Sequence, residues 1–153
     1  MRRWAWAVFA AGWLAQPALA APKPGDWGAG LTLGDPTVGG VKYFLSPRQA
    51  VALGIGVSQD FNVIGDYLLH DWDLLPQPKR GDLGLYGGVG GRLEMKAYNN
   101  MVIRTMAGLS YWPRFKRRDF EFFAELGPAY RIAPDLHWRL DGGFGLRVYF
   151  PAR

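Results

Sequence analysis

His137–Phe150 reads HWRLDGGFGLRVYF, and this stretch decides the fold. Its even positions are Trp138, Leu140, Gly142, Phe144, Leu146, Val148 and Phe150; its odd positions are His137, Arg139, Asp141, Gly143, Gly145, Arg147 and Tyr149. One side is apolar with an aromatic at each end, and the other carries charges and glycines. A two-residue period is the mark of a β-strand, whose successive side chains point to opposite faces. Patterned this way and placed near a C-terminus, the stretch predicts the closing strand of a transmembrane β-barrel.

Seven more alternating segments precede it: 27–34, 38–45, 50–58, 61–71, 82–95, 101–112 and 119–131. The breaks between them are chemically sensible turns, including Gly34-Asp35-Pro36, Ser46-Pro47, Leu75-Pro76-Gln77-Pro78, Asn99-Asn100 and Ala133-Pro134-Asp135. The expected fold is therefore all-β, an eight-stranded antiparallel up-and-down barrel. No helical period is visible after residue 21.

The two faces are consistent along the chain, although the second segment alternates less cleanly. One face carries residues such as Trp27, Leu31, Leu53, Ile55, Val63, Tyr67, Val89, Ile103, Leu109, Phe122 and Leu126. The other is rich in glycine and holds Asp66, Arg92, Glu94, Arg104, Glu121, Glu125, Arg131, Arg139, Asp141 and Arg147. Alternation alone does not say which face is inside. A water-facing side would carry Lys, Glu and Thr, whereas a narrow eight-stranded interior has room for glycines beside a few large polar groups. Trp27, Tyr43, Tyr111, Phe120 and Phe150 fall at one rim and Phe61, Tyr130 and Trp138 at the other, as two interfacial girdles would. The apolar face is thus expected to meet lipid. The five arginines and five carboxylates of the polar face nearly balance, and charges in a tight interior are costly unless paired. They are expected to form a network that plugs the barrel.

The first 20 residues read as a cleaved signal peptide: Arg2-Arg3, an apolar run Trp4–Leu14, and Ala18-Leu19-Ala20 before the cut. Eleven apolar residues fall short of the ~20 a membrane helix needs. The expected organisation is signal peptide 1–20, short flexible leader 21–26, outer-membrane barrel 27–150 and tail 151–153. The 133 residues from Ala21 onward carry 16 basic and 13 acidic side chains, a net of +3, so nucleic acid is a poor partner. The absence of cysteine removes disulfides and thiolate chemistry.

Gly34-Asp35-Pro36-Thr37, Lys42-Tyr43-Phe44-Leu45-Ser46, Asp66–Asp71 (DYLLHD), Leu85–Arg92 (LYGGVGGR) and Gly143–Phe150 (GFGLRVYF) resemble a family of small uncharacterised outer-membrane β-barrel proteins, related in shape to OmpX and the OmpA transmembrane domain. The resemblance covers nearly the whole mature chain and implies an eight-stranded barrel without an assigned catalytic role. The closing strand also resembles the signal read by the barrel-insertion machinery, with Phe144, Leu146, Val148 and Phe150 at alternate positions. The tail Pro151-Ala152-Arg153 departs from that signal, which usually ends on the aromatic.

Other motifs carry less. Gly87-Gly88-Val89-Gly90-Gly91-Arg92-Leu93 lacks the third glycine of a nucleotide loop, and no helix follows it. His70 and His137 lie on different strands, too far apart to converge on a metal. An enzyme acting on lipid A would need a serine, a base and an acid in reach; Ser46 and Ser58 fall in turns, and Ser110 lies at the end opposite His137. No catalytic, cofactor or metal site is expected. Arg114-Phe115-Lys116-Arg117-Arg118 is a solvated turn or a contact for anionic headgroups. With both termini periplasmic, that turn and residues 72–81 face the periplasm, and the outside connections are unusually short. The remaining expectations are a monomer, with outer-membrane lipids as surroundings and periplasmic chaperones and the insertion machinery as assembly partners. The alternatives are a soluble periplasmic barrel holding a hydrophobic ligand and a lipid A-modifying barrel.

Overall fold

The computed structural model describes residues 22–56, 60–114 and 120–152. The segment 1–20 expected to be a signal peptide, Ser58 and most of the basic 114–118 turn lie outside the described residues. Eight strands follow one another: β1 (Trp27–Asp35), β2 (Val38–Ser46), β3 (Gln49–Gly56), β4 (Phe61–Asp71), β5 (Gly81–Met95), β6 (Asn100–Pro113), β7 (Phe120–Ala133) and β8 (His137–Phe150). Each pairs antiparallel with its sequence neighbours, and β8 pairs with β1 to close the barrel. Closure leaves no strand along the seam without a partner, which removes the edge that makes open sheets aggregate.

The register sets the shape. Paired residues followed around the wall run Gly28, Lys42, Ala52, Asp66, Gly90, Arg104, Ala129, Arg139. The β8–β1 register then brings Arg139 level with position 38, a stagger of 10 residues from Gly28. A stagger of that size around eight strands corresponds to a strand tilt of about 40°. We call the end with both termini the near end and the opposite end the far end.

The apolar face points outward. Trp27, Leu31, Leu33, Leu53, Ile55, Val63, Tyr67, Val89, Ile103, Leu109, Phe122, Leu126 and Phe144 are all exposed, while Arg92, Glu94, Arg104, Glu121 and Asp141 are buried inside. Lys42 and Phe44 also point inward, which explains the irregular look of β2: its inner row mixes a cation with an aromatic.

Residues 22–26 are not a loose leader. Gly25 N donates to Phe44 O at 2.8 Å and Phe44 N to Asp26 O at 2.9 Å, extending the β1–β2 ladder. The Asp26 carboxylate accepts from Lys23 N at 2.8 Å and Ala152 N at 3.1 Å, which ties the leader to the tail. The tail that departs from the insertion signal is thereby fastened beside β1.

Inward glycines serve as seats for rings on neighbouring strands. A Cβ on Gly28 would lie 2.8 Å from the Tyr149 ring and one on Gly84 2.6 Å from Trp72, and a Cβ on Gly108 would collide with Tyr86. The interior is therefore not simply small; small and large positions are matched across strands. Gly108→Val should destabilise the barrel by about 1–3 kcal/mol, in the range of overpacked cores, read as a lower urea midpoint of the refolded protein. An equally stable variant would show that the Tyr86 ring is not seated on this glycine.

Candidate functional site

Enclosed polar groups are the candidate site, and they fall in two tiers. The near-end tier centres on Glu121, whose side chain has no solvent exposure. Its carboxylate accepts from Lys42 Nζ at 2.9 Å, Ser110 Oγ at 2.6 Å, Tyr149 OH at 2.7 Å and Arg147 Nη1 at 3.1 Å. Ser110 Oγ in turn accepts from Trp112 Nε1 at 2.8 Å. Lys42 lies over the Phe44 and Tyr86 rings, 5.0 and 5.1 Å from their centroids, and the Arg147 guanidinium lies 3.7 Å from the Phe123 centroid. Rings that meet cations face-on attract them through the ring quadrupole. Strands β2, β6, β7 and β8 each supply one or two of these groups, so the tier ties together walls far apart in sequence.

The far-end tier is a ladder of ion pairs. Arg104 reaches Asp66 at 3.2 Å, Glu125 at 3.3 Å and Asp141 at 3.7 Å. Arg92 contacts Asp141 at 2.7 Å and Glu94 at 3.0 Å, and Arg139 contacts Glu94 and, at 3.2 Å, Asp141. Tyr86 OH donates to Glu125 Oε2 at 2.6 Å from below. Asn100 Nδ2 donates to Glu94 at 3.0 Å.

Nine of the ten charged residues assigned to the interior by sequence are thus gathered in these two tiers. Arg131 is the exception. It lies near the far end of β7, and from that rim it pairs with Asp135 of the following turn at 2.8 Å. Lys42, left out of the sequence assignment, takes its place, and five cations still face five anions.

Sequence reasoning also missed an aromatic plug. Phe44, Tyr86, Trp112, Phe123 and Tyr149 line the near end, and Trp72 folds in from the β4–β5 connection, its Nε1 donating to Pro47 O at 2.8 Å. His70 lies in this plug, stacked 5.7 Å from Trp72 and 5.2 Å from Tyr86. Neither of its ring nitrogens has a hydrogen-bond partner among the described residues. His137 sits at the far end, so the two histidines do not converge. Strand parity carried the missing signal: Phe123 lies between Glu121 and Glu125, and Trp112 follows Ser110 on the inward row.

The girdle and closing-strand residues fall where their parity puts them. Trp27 stacks on Phe150, with centroids 4.6 Å apart, and Tyr43, Tyr111 and Phe120 share that rim; Phe61, Tyr130 and Trp138 mark the far rim of β4, β7 and β8. Phe144, Leu146, Val148 and Phe150 line the outer face of β8, with Leu146 opposite Leu31 of β1. Arg114 pairs with Asp82 at 2.9 Å.

Among the described residues, the cavities within the barrel are small. One of about 40 Å³ lies against Gly30, Gly40, Gly54, Asp66, Arg104 and Arg147, and one of about 30 Å³ at the far rim is lined by Asp35, Pro36, Asp60, Asn62, Glu94, Lys96 and Arg139. Drug-sized ligands occupy sites of roughly 300–1,000 Å³. The soluble alternative requires an apolar, roomy interior; this one is charged and filled.

This is a closed eight-stranded antiparallel barrel. Its fold is similar to the crystal structure of the N-terminal β-barrel domain of Pseudomonas aeruginosa OprF, with a TM-score of 0.52 and 17% identity over 82% of this chain and 96% of that one. No family model matches the chain, and no curated protein matches it.

Removing one member of a buried pair leaves the other charge uncompensated, which typically costs about 3–5 kcal/mol. Glu121→Gln should lose stability in that range, Lys42→Met less, and the double variant less than the sum of the two. Additive losses in urea unfolding would mean that Lys42 and Glu121 are not coupled.

Proposed function

We propose that the chain is a small outer-membrane barrel protein with a closed interior, a structural or envelope-associated element and not an enzyme. The observation that carries this is the inverted wall: apolar residues outside, charges inside, and aromatic belts near both rims. On β7 the belt residues Phe120 and Tyr130 stand about ten residues apart along the tilted strand. At about 3.3 Å per residue and about 40° of tilt this is roughly 25 Å, the height of the apolar band of an outer-membrane barrel. The fold shared with the OprF barrel domain agrees with this reading.

In this proposal the N-terminal segment is a cleaved export signal. The outer row Phe144, Leu146, Val148 and Phe150 is the feature read by the insertion machinery, after periplasmic chaperones deliver the chain. The barrel works as a monomer among outer-membrane lipids. The likeness to a family of uncharacterised small barrels belongs to the same reading. No catalysis is assigned: Ser110 is fully buried and hydrogen-bonded to Glu121, and Ser46 Oγ accepts from Arg48 N and Gln49 N within its turn.

The test is fractionation with gel mobility. The protein should remain with the outer membrane after carbonate extraction and migrate differently before and after boiling; release into the periplasm would defeat the proposal. Leu146→Arg, on the outer face, should reduce assembly at a cost of roughly 2–4 kcal/mol near the bilayer midplane, and wild-type assembly of that variant would contradict the facing. In planar bilayers the purified protein should show no large steady conductance, because both tiers and the aromatic plug occupy the lumen; a stable channel would refute the closed interior.

A further inference from the structure

The barrel has a short wall and a tall one. Strands β1, β2 and β3 are 9, 9 and 8 residues long, whereas β5 to β8 are 15, 14, 14 and 14. The difference lies at the far end. At the far end neighbouring strands end almost flush, as in Val38–Gly56, Gly56–Asn62, Phe61–Met95, Glu94–Asn100 and Arg131–His137. Because the strands tilt, a flush line of strand ends climbs as it circles the barrel and drops back at the seam. There β1 ends at Asp35 opposite Gly142, and His137–Asp141 of β8 extends beyond it. Corrected for the stagger, the far ends of β1–β3 lie roughly four residues below those of β5–β8.

The tall wall does not stand out into water, because its extra length is apolar on the outside: Met101, Ile103, Tyr130, Trp138 and Leu140 are exposed there. The far interface must therefore lie near Tyr130 and Trp138 on that side. On the short side the apolar wall is only about 15–20 Å high, from the same rise and tilt, below the usual band of roughly 25 Å. Above it, the inner face of the tall wall is uncovered. Arg139 has 37% of its side chain exposed, and Asp35, Asp60, Glu94 and Lys96 surround the same far-rim cavity.

We infer that β1–β3 form a lipid-thinning face, over which the distal leaflet dips and its headgroups meet the charged rim at Arg139, Lys96, Asp35 and Asp60. This rests on the membrane reading above. A wall shorter than the hydrocarbon is accommodated by bilayer thinning at modest cost per ångström. Headgroup phosphates and amines find partners of both signs at the rim, where hydrocarbon would leave those charges unsolvated.

The chain has no cysteine, so single labels are unambiguous. Leu33→Cys and Ile55→Cys probe the short wall; Leu126→Cys and Val89→Cys probe the tall wall at comparable heights. All four native side chains are exposed to similar degrees. Each variant is nitroxide-labelled, reconstituted into phosphatidylcholine vesicles with C16–C18 chains, checked for heat-modifiable mobility and measured for accessibility to oxygen and to a water-soluble nickel complex. The expected result is a nickel-to-oxygen ratio severalfold higher at Leu33 and Ile55 than at Leu126 and Val89. Four labels reporting the same hydrocarbon depth would overturn the thinning face and leave the membrane reading intact. Short-wall labels shielded from both reagents would overturn it in favour of a protein partner. Tall-wall labels in water would overturn the membrane reading itself.

Discussion

The pairing of β1 with β8, from Trp27–Phe150 to Asp35–Gly142, closes the hydrogen-bond ladder on which the rest of the structure depends. With the ladder closed, the wall needs no water for its backbone, and its outer side chains can be apolar throughout. That freedom has a consequence inside. Charged residues on the alternate row are then locked in a lumen with little room for water, and each must be paired with an opposite charge of the chain. The two charge tiers satisfy that requirement, with five cations facing five anions.

Matching has been achieved differently at the two ends. At the near end a single carboxylate, Glu121, takes four donors from β2, β6 and β8, and the surrounding space is filled by aromatic rings. A charge surrounded by rings has little solvent to fall back on, so its partners have to be numerous and short. At the far end the arginines alternate with carboxylates toward the rim, and Arg139 is already partly in solvent. The near end is thus the sealed end and the far end the wetter one. At the far rim Asp60 hydrogen-bonds Lys96 at 2.8 Å and holds its ammonium above the usual lysine range.

Much of this was legible in the sequence, and the gaps have physical causes. Turn chemistry placed the strand ends to within a couple of residues, because Pro, Asp and Gly mark positions where a ladder cannot continue. Parity placed the charges, because a closed wall holds every strand to a two-residue period. It failed at Lys42, since Phe44 on the same inward row obscured the alternation of β2. It misassigned Arg131, because parity gives the face of a residue and not its height; at the rim an inward arginine turns to the nearest carboxylate, Asp135. The aromatic plug was overlooked for a related reason. Inward glycines suggested a narrow lumen with room for few large side chains, whereas Gly28, Gly84 and Gly108 are the spaces into which Tyr149, Trp72 and Tyr86 fit.

The short wall and the glycine-rich part of the lumen fall on the same strands. The inward positions of β1–β3 include Gly28, Gly30, Gly40, Ala50, Ala52 and Gly54, while the long charged side chains of the far-end ladder come from β4 to β8. Guanidinium groups reaching across a narrow lumen need the facing wall to be nearly bare, and the cavity against Gly30, Gly40 and Gly54 lies beside Arg104 and Arg147. On that same side β1–β3 stop early. The charges above them lose their roof, so the groups that fill the barrel at its waist become a polar rim at its far end. Filling, asymmetry of height and exposure of the rim thus divide the barrel along the same line, with β1–β3 on one side and β5–β8 on the other.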